Sequence, residues 1–232
     1  MANKYVTFSF DDGTVFDRRL TEIMRQYGLK GTFNLNSAVF SKKQTVTEPN
    51  YIYDHSIIDA AEVKNLYIGQ EVASHTLNHP DLRFLEKDEV IRQVNEDIAN
   101  LEKLVGYEIT GLAYPMGETN EQLINILNEN TKLKYARTIY YTYGFGIPKN
   151  FMCWNPTAWI EDGEVFNLYD KFIKSESEED VLFYVWGHSY DFEKFKTWDR
   201  FLKLADLISK TDGVKCVTNN ELFTKMSKIK GK

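Results

Sequence analysis

The sequence is short of cysteine, histidine and long apolar runs, and each shortage narrows what the chain can be. Two cysteines, Cys153 and Cys216, in 232 residues make no disulfide framework. Both sit in apolar, strand-like runs, so buried reduced thiols are expected. No window approaches the roughly 18 apolar residues that a membrane-spanning helix needs. Met1 to Lys4 runs straight into a strand-like segment with no apolar leader, so the expected location is the cytoplasm, or outside the cell if the chain has been trimmed. Basic residues are outnumbered, 28 Lys and Arg against 34 Asp and Glu, for a net charge of -6. That balance argues against a nucleic-acid or anionic-membrane partner, both of which require basic surface. The one Lys cluster, Lys225, Lys228, Lys230 and Lys232, reads as a solvated tail. With 43% hydrophobic and 27% charged residues, the chain has the composition of a soluble globular protein with one sizeable core.

What is present is an alternation of strand-like and helix-like segments. Asp17 reads as an N-cap, followed by Leu20, Ile23, Met24 and Tyr27 at one-face spacing until Gly28 ends the helix. Gly31 to Asn36 reads as the next strand. Val90, Ile91, Val94, Ile98, Leu101 and Leu104 make a long amphipathic helix closed by Gly106, and Leu123, Ile124 and Leu127 mark a shorter one. Residues 41–60 have no clear period and are expected to form a long loop over the site. Strand-like runs recur near 135–141, 151–159, 181–187 and 214–218, with a helix carrying Phe195, Leu202, Leu204 and Leu207 between the last two. No linker or repeat interrupts this order. The reading is one α/β domain over residues 1–232 with a mostly parallel sheet.

Polar residues gather where these strands end. Thr7-Phe8-Ser9-Phe10 runs into Asp11-Asp12-Gly13. An Asp-Gly pair suits a turn, but two adjacent carboxylates at the mouth of a strand also suit a metal or a proton transfer. Gly69 to Ser74 leads into His75-Thr76-Leu77-Asn78-His79, where Pro80 stops a long helix. Two of the four histidines of the chain fall here. Two neutral imidazoles plus the Asp12 carboxylate make a three-ligand set, which leaves a coordination position for water as catalytic zinc sites do. Val181 to Gly187 is an apolar run closing on His188, and Ile109 to Ala113 leads into Tyr114-Pro115-Met116-Gly117. In parallel α/β folds, chemistry sits at such C-terminal strand ends.

Together these segments resemble the polysaccharide deacetylase family, also called the NodB homology domain or carbohydrate esterase family 4. Phe10-Asp11-Asp12-Gly13 matches its T-F-D-D-G motif, His75 to His79 its H-[ST]-x-x-H motif, Pro115-Met116-Gly117 its proline-glycine loop, and His188 its closing histidine. The matches fall in order and span about residues 6 to 190. Two departures stand out. The arginine that usually precedes the family's prolines is Ala113 here, and Arg137 on a neighbouring strand is the candidate replacement. The family's Asp-Trp pair has no clean match; Trp154 or Trp159 could fill the aromatic role, which leaves the acid that orients His188 unassigned.

The resemblance implies a distorted (β/α) barrel of about seven mostly parallel strands. It implies one divalent metal held by Asp12, His75 and His79, with zinc expected and cobalt, nickel or manganese as alternatives. Asp11 is then the general base, His188 the general acid, and the Met116 backbone N–H the oxyanion donor. The implied reaction is removal of N-acetyl or O-acetyl groups from a sugar or oligosaccharide, as a hydrolase of carbon-nitrogen bonds other than peptide bonds. Tyr190 and Trp198, with Trp154, Trp159, Asn78 and Arg137, are candidate substrate contacts, and Asn34 and Asn36 candidate hydroxyl partners. Two other readings stay open. The chain could hydrolyse a non-glycan amide such as a cyclic ureide or imide, or it could be a non-catalytic sugar-binding module.

Overall fold

The computed structural model describes residues 2–230, so Met1 and Lys232 of the sequence reading lie outside it. The chain opens on β1 (Lys4–Asp11), whose aromatic and β-branched residues suit a strand covered on both faces. From Tyr5 to Asp11 every residue of it is buried. The remaining strands are β2 (Gly31–Leu35), β3 (Thr45–Glu48), β4 (Tyr51–Asp54), β5 (Glu71–Ser74), β6 (Gly111–Ala113), β7 (Tyr135–Arg137), β8 (Ala158–Trp159), β9 (Val181–His188) and β10 (Val214–Cys216). The helices are α1 (Asp17–Gln26), α2 (Val63–Leu66), α3 (Lys87–Val105), α4 (Glu121–Asn130), α5 (Val165–Lys174), α6 (Ser189–Lys194), α7 (Trp198–Ser209) and α8 (Asn219–Lys230).

Seven parallel strands lie in the order β7-β6-β5-β2-β1-β9-β8, and β10 pairs with the first residues of β1. The sheet curls into a half-barrel. A parallel bridge between Arg137 and Trp154 ties β7 to the segment leading into β8, which draws the two ends together. This is the mostly parallel sheet that the alternating pattern implied and the distorted (β/α) barrel that the resemblance implied. The register puts Asp11 level with Asn34 of β2 and His188 of β9, and Ala113 level with Arg137. Chain-distant polar residues thereby meet at one end of the sheet.

Several local expectations are corrected. Residues 41–60 are not a structureless loop: β3 and β4 form an antiparallel hairpin outside the main sheet. Its sequence gives no core signal because β3 is largely exposed. Residues 151–159 are a single 3-10 turn followed by a two-residue strand. Asp17 does not cap α1. It is wholly buried inside the first turn, where Tyr67 donates a hydrogen bond to it at 2.6 Å. Cys153 and Cys216 are free thiols and only half-buried. Phe195 falls outside α7, and Leu207 on that helix faces solvent. Among the described residues no helix is long and apolar enough to cross a membrane.

Candidate active site

The site is built at the C-terminal ends of β1, β5, β6 and β9. Asp11 ends β1, and the chain then turns through Asp12 and Gly13, both in the left-handed region (φ 76° and 65°). Glycine suits the second position, because φ there strains any other residue and a Cβ would stand 2.8 Å from Leu35 Cδ2. Three more residues around the site, Thr76, His79 and Met116, hold positive φ without being glycine. Such strain gathers where surrounding structure fixes a functional geometry.

Asp12, His75 and His79 converge. One ligand atom from each lies within 4.8 Å of the others, and the two imidazole centroids are 4.6 Å apart. Asp12 Oδ1 faces His75 Nε2 at 3.6 Å. His75 Nδ1 lies 2.8 Å from the Ala113 carbonyl oxygen, which can only accept, so Nδ1 carries the proton and Nε2 presents its lone pair. Burial pushes His75 down to about 4, which keeps it neutral, as a ligand must be. Asp12 is raised by burial, but a hydrogen bond from His55 and the nearby histidines outweigh that and hold it well below the usual carboxylate range. An oxygen and two imidazole nitrogens are the donor set a divalent transition ion takes, so these residues fit such a cation. Behind them, the Asn36 amide donates to the His75 and Thr76 carbonyls, and the Ser74 hydroxyl donates to buried Asp97 at 2.6 Å.

Asp11 is almost wholly buried beside the triad. Arg137, itself fully buried, ion-pairs with Asp11 Oδ2, and Asn34 Nδ2 donates to Oδ1 at 2.8 Å. Burial raises Asp11, but the Arg137 guanidinium, with His75 and His188, holds it below the ordinary range. The guanidinium also lies 5.0 Å over the Trp186 ring. Arg137 comes from β7, level with Ala113 on β6, where the sequence lacks an arginine.

His188 faces the same cavity. Its Nδ1 is 3.0 Å from Asp191 Oδ2, and the same carboxylate accepts a hydrogen bond from the His188 backbone N–H. Burial alone would lower His188, but the charge and hydrogen bond of Asp191, with Asp12 and Asp11 nearby, push it up to about 9. It is therefore protonated at neutral pH. Asp191 is the acid that the sequence reading left unassigned. Its signal was the three-residue spacing from His188 across the first turn of α6. Trp159 Nε1 donates to the same Oδ2 at 3.1 Å.

The aromatic expectations divide. Tyr190 lines the cavity and stacks on His188 with centroids 4.7 Å apart. Trp154 is wholly buried among Tyr135, Phe151 and Tyr184, so it has no surface to offer a substrate. Trp198 is likewise buried, packed on Phe192 with Arg19 over its outer face. Trp159 stands behind Asp191, and Arg137 beneath Asp11. The amide nitrogens of Asn34 and Asn36 are committed to protein partners. Trp186, half-buried, is the tryptophan that lines the cavity.

Two cavities meet at the triad and share Asp12 and His79. One, of about 320 Å³, carries Asp11, His75, Met116 and His188. The other, of about 270 Å³, carries His55 and Asn78. His55, the remaining histidine, was missed altogether. It follows β4 in a segment without periodicity, and no residue type or spacing there marks it.

The family described as polysaccharide deacetylase matches residues 1–135. No curated protein matches significantly. Among solved structures, a family 4 acetyl xylan esterase from Clostridium thermocellum, in complex with a cobalt ion, superposes with a TM-score of 0.61 at 19% identity, over 96% of this chain and 92% of that one. The peptidoglycan deacetylase PdaC from Bacillus subtilis gives 0.59 at 18%, over 99% and 95%. A family 4 pseudoenzyme from Bacillus anthracis, BA3943, gives 0.59 at 17%, over 95% of this chain but 66% of that one. At these identities the likeness concerns the fold. The sequence match covers more than half of the residues, and by it the chain belongs to the polysaccharide deacetylase family.

Proposed function

We propose that this protein is a metal-dependent hydrolase that removes acetyl groups, foremost N-acetyl, from a carbohydrate. The observation that carries the reading is the flanking of one three-ligand set by two oppositely tuned pairs. Asp11 with Arg137 is held ionised, and His188 with Asp191 is held protonated. Groups pushed apart in this way have the properties of a base and an acid that work together. A sugar-binding module needs neither.

A divalent ion at Asp12, His75 and His79 would supply Lewis acidity, lowering the pKa of a water and polarising the acyl carbonyl. Asp11 accepts the proton of the attacking water as its oxygen adds to the acyl carbon. The Met116 N–H donates to the carbonyl oxygen as that oxygen gains charge. His188 gives its proton to the nitrogen as the C–N bond breaks, because an amine anion is a very poor leaving group. General acid help of this kind is worth about 10²–10⁴ in rate, so His188→Ala should lose turnover on that scale.

The test is acetate release from chitooligosaccharides, small N-acetyl sugars and acetyl esters, with ring opening of cyclic ureides in parallel. Release that is lost to a chelator and restored by zinc or cobalt is expected. Turnover of ureides alone would move the substrate off glycans. No turnover at normal metal content would make the chain a binding module.

A further inference from the structure

His55 belongs to none of the matched motifs, yet its backbone is fastened to the chain that leaves Asp12. Val15 N–H donates to the Ser56 carbonyl at 2.8 Å, and Ile58 N–H to that of Gly13 at 3.0 Å. Thr14 and Ile57 form an antiparallel bridge between the two segments. On the far side, His55 N–H donates to Gln44 O at 2.7 Å and Ile57 N–H to Lys42 O at 2.9 Å. The hairpin that ends in His55 is pinned in turn: Lys194 on α6 ion-pairs with Glu48 at 2.7 Å and lies over the rings of Tyr51 and Tyr53. The imidazole is thus delivered onto Asp12 from outside the barrel.

The contact divides the two oxygens of Asp12. Oδ1 faces His75, while Oδ2 faces His55 Nε2 at 3.4 Å. His55 packs against Tyr190, with centroids 4.7 Å apart, and its Nδ1 is buried with no partner among the described residues. A carboxylate oxygen only accepts, and no described residue donates to or accepts from Nδ1. The tautomer that satisfies this arrangement carries its proton on Nε2. A nitrogen bearing that proton turns its N–H toward Asp12 Oδ2, 3.4 Å away, and has no lone pair left for a cation.

We propose that His55 is a positioning residue for the metal-binding carboxylate, and that through it the β3–β4 hairpin sets how tightly the centre holds a divalent cation. The proposal rests on reading Asp12, His75 and His79 as a metal centre. Occupying Oδ2 fixes the carboxylate plane and leaves Oδ1 for the ion, so less freedom is lost when the ion binds. Partners of this kind, one bond removed from the metal, typically change affinity by about 10–100-fold.

The test is a cobalt(II) titration of the chelator-treated full chain, read by visible absorption, for wild type, His55→Ala, His55→Gln and His55→Met. Gln keeps an N–H donor at similar reach, and Met fills the space without one. Expected is a cobalt Kd raised about 10–100-fold in His55→Ala and His55→Met, with partial recovery in His55→Gln. Band positions stay unchanged, as does the melting temperature of the metal-free Gln and Met variants. Should His55→Ala unfold early, the Gln–Met pair carries the comparison. Equal cobalt affinity in those two variants overturns the proposal while the metal centre stands. Shifted bands in both would make His55 a ligand instead and overturn it as well. Failure of the wild type to bind cobalt would remove the metal reading and this inference together.

Discussion

Replacing Arg137 with methionine isolates the most consequential charge pair of the site. Both partners are inaccessible: side-chain exposure is 0% for Arg137 and 3% for Asp11. Breaking a buried pair by deleting one member leaves the other charge uncompensated and typically costs about 3–5 kcal/mol. Methionine keeps much of the aliphatic volume beneath Trp186, so packing loss adds little. Against a total stability of about 5–15 kcal/mol, the variant should fold with a sharply lower urea midpoint. The pH dependence identifies the cause. In the wild type Asp11 is lowered below 3.8, so its contribution is present above that pH and lost as pH falls through the folded value. Without the guanidinium Asp11 loses the foremost influence that lowers it, and burial is expected to carry it above 3.8. Stability is then retained at low pH and lost as pH rises through the new value. Urea unfolding should therefore show a larger cost of Arg137→Met at pH 7.5 than at pH 4.5. The double variant Asp11→Asn/Arg137→Met should cost less than the two single changes added together. A cost equal at both pH values, with single effects that simply add, would refute the claim that Arg137 neutralises Asp11.

Asp191→Asn removes the charge that raises His188 but leaves a side chain able to accept from its backbone N–H. The alkaline limb of the kcat profile should move to lower pH, and an unmoved limb would separate His188 from the acid role. Asp97 is pushed up to about 7 by burial, against bonds from Ser74 and Ser37 that lower it, so it favours the folded state while protonated. That contribution is full below about 4 and lost as pH rises through about 7; the difference corresponds to at most about 4 kcal/mol. Asp97→Asn should flatten urea stability measured between pH 4.5 and 8, and an unchanged slope would assign that dependence to other groups.

The sequence made legible what lies along single strands. A strand-like run closing on Asp11-Asp12, on His75 or on His188 states both the strand and the end at which chemistry collects. What escaped depends on which strands become neighbours. Arg137 could be suspected, but nothing in the linear order puts β7 beside β6 with Arg137 level with Ala113. Asp191 went unassigned because a linear motif assumes that a partner comes from a fixed segment. The acid instead lies one helical turn beyond its histidine. Trp198 misled for the opposite reason. As the first residue of α7 it turns inward onto Phe192, so proximity to His188 in sequence gave no exposure. His55 had no signal at all, because an exposed hairpin carries no core periodicity to align it with Asp12.

These misses share a physical origin that bears on how such sites tolerate change. A buried carboxylate that is to stay ionised needs a compensating cation at a certain depth and level, and the backbone supplying it is immaterial. Parallel neighbours in register offer equivalent starting points. An arginine absent at position 113 can be replaced from position 137, because the two Cα atoms are register partners and Ala113 takes up little room between the strands. The Ala113 carbonyl is meanwhile engaged with His75 Nδ1. By its linear motif the chain lacks an arginine at position 113, yet Asp11 has a guanidinium partner in Arg137. The quantity that must be kept is therefore the charge environment of the Asp11 carboxylate, and a search for relatives of this site should ask what faces Asp11 in space before asking what precedes the proline in sequence.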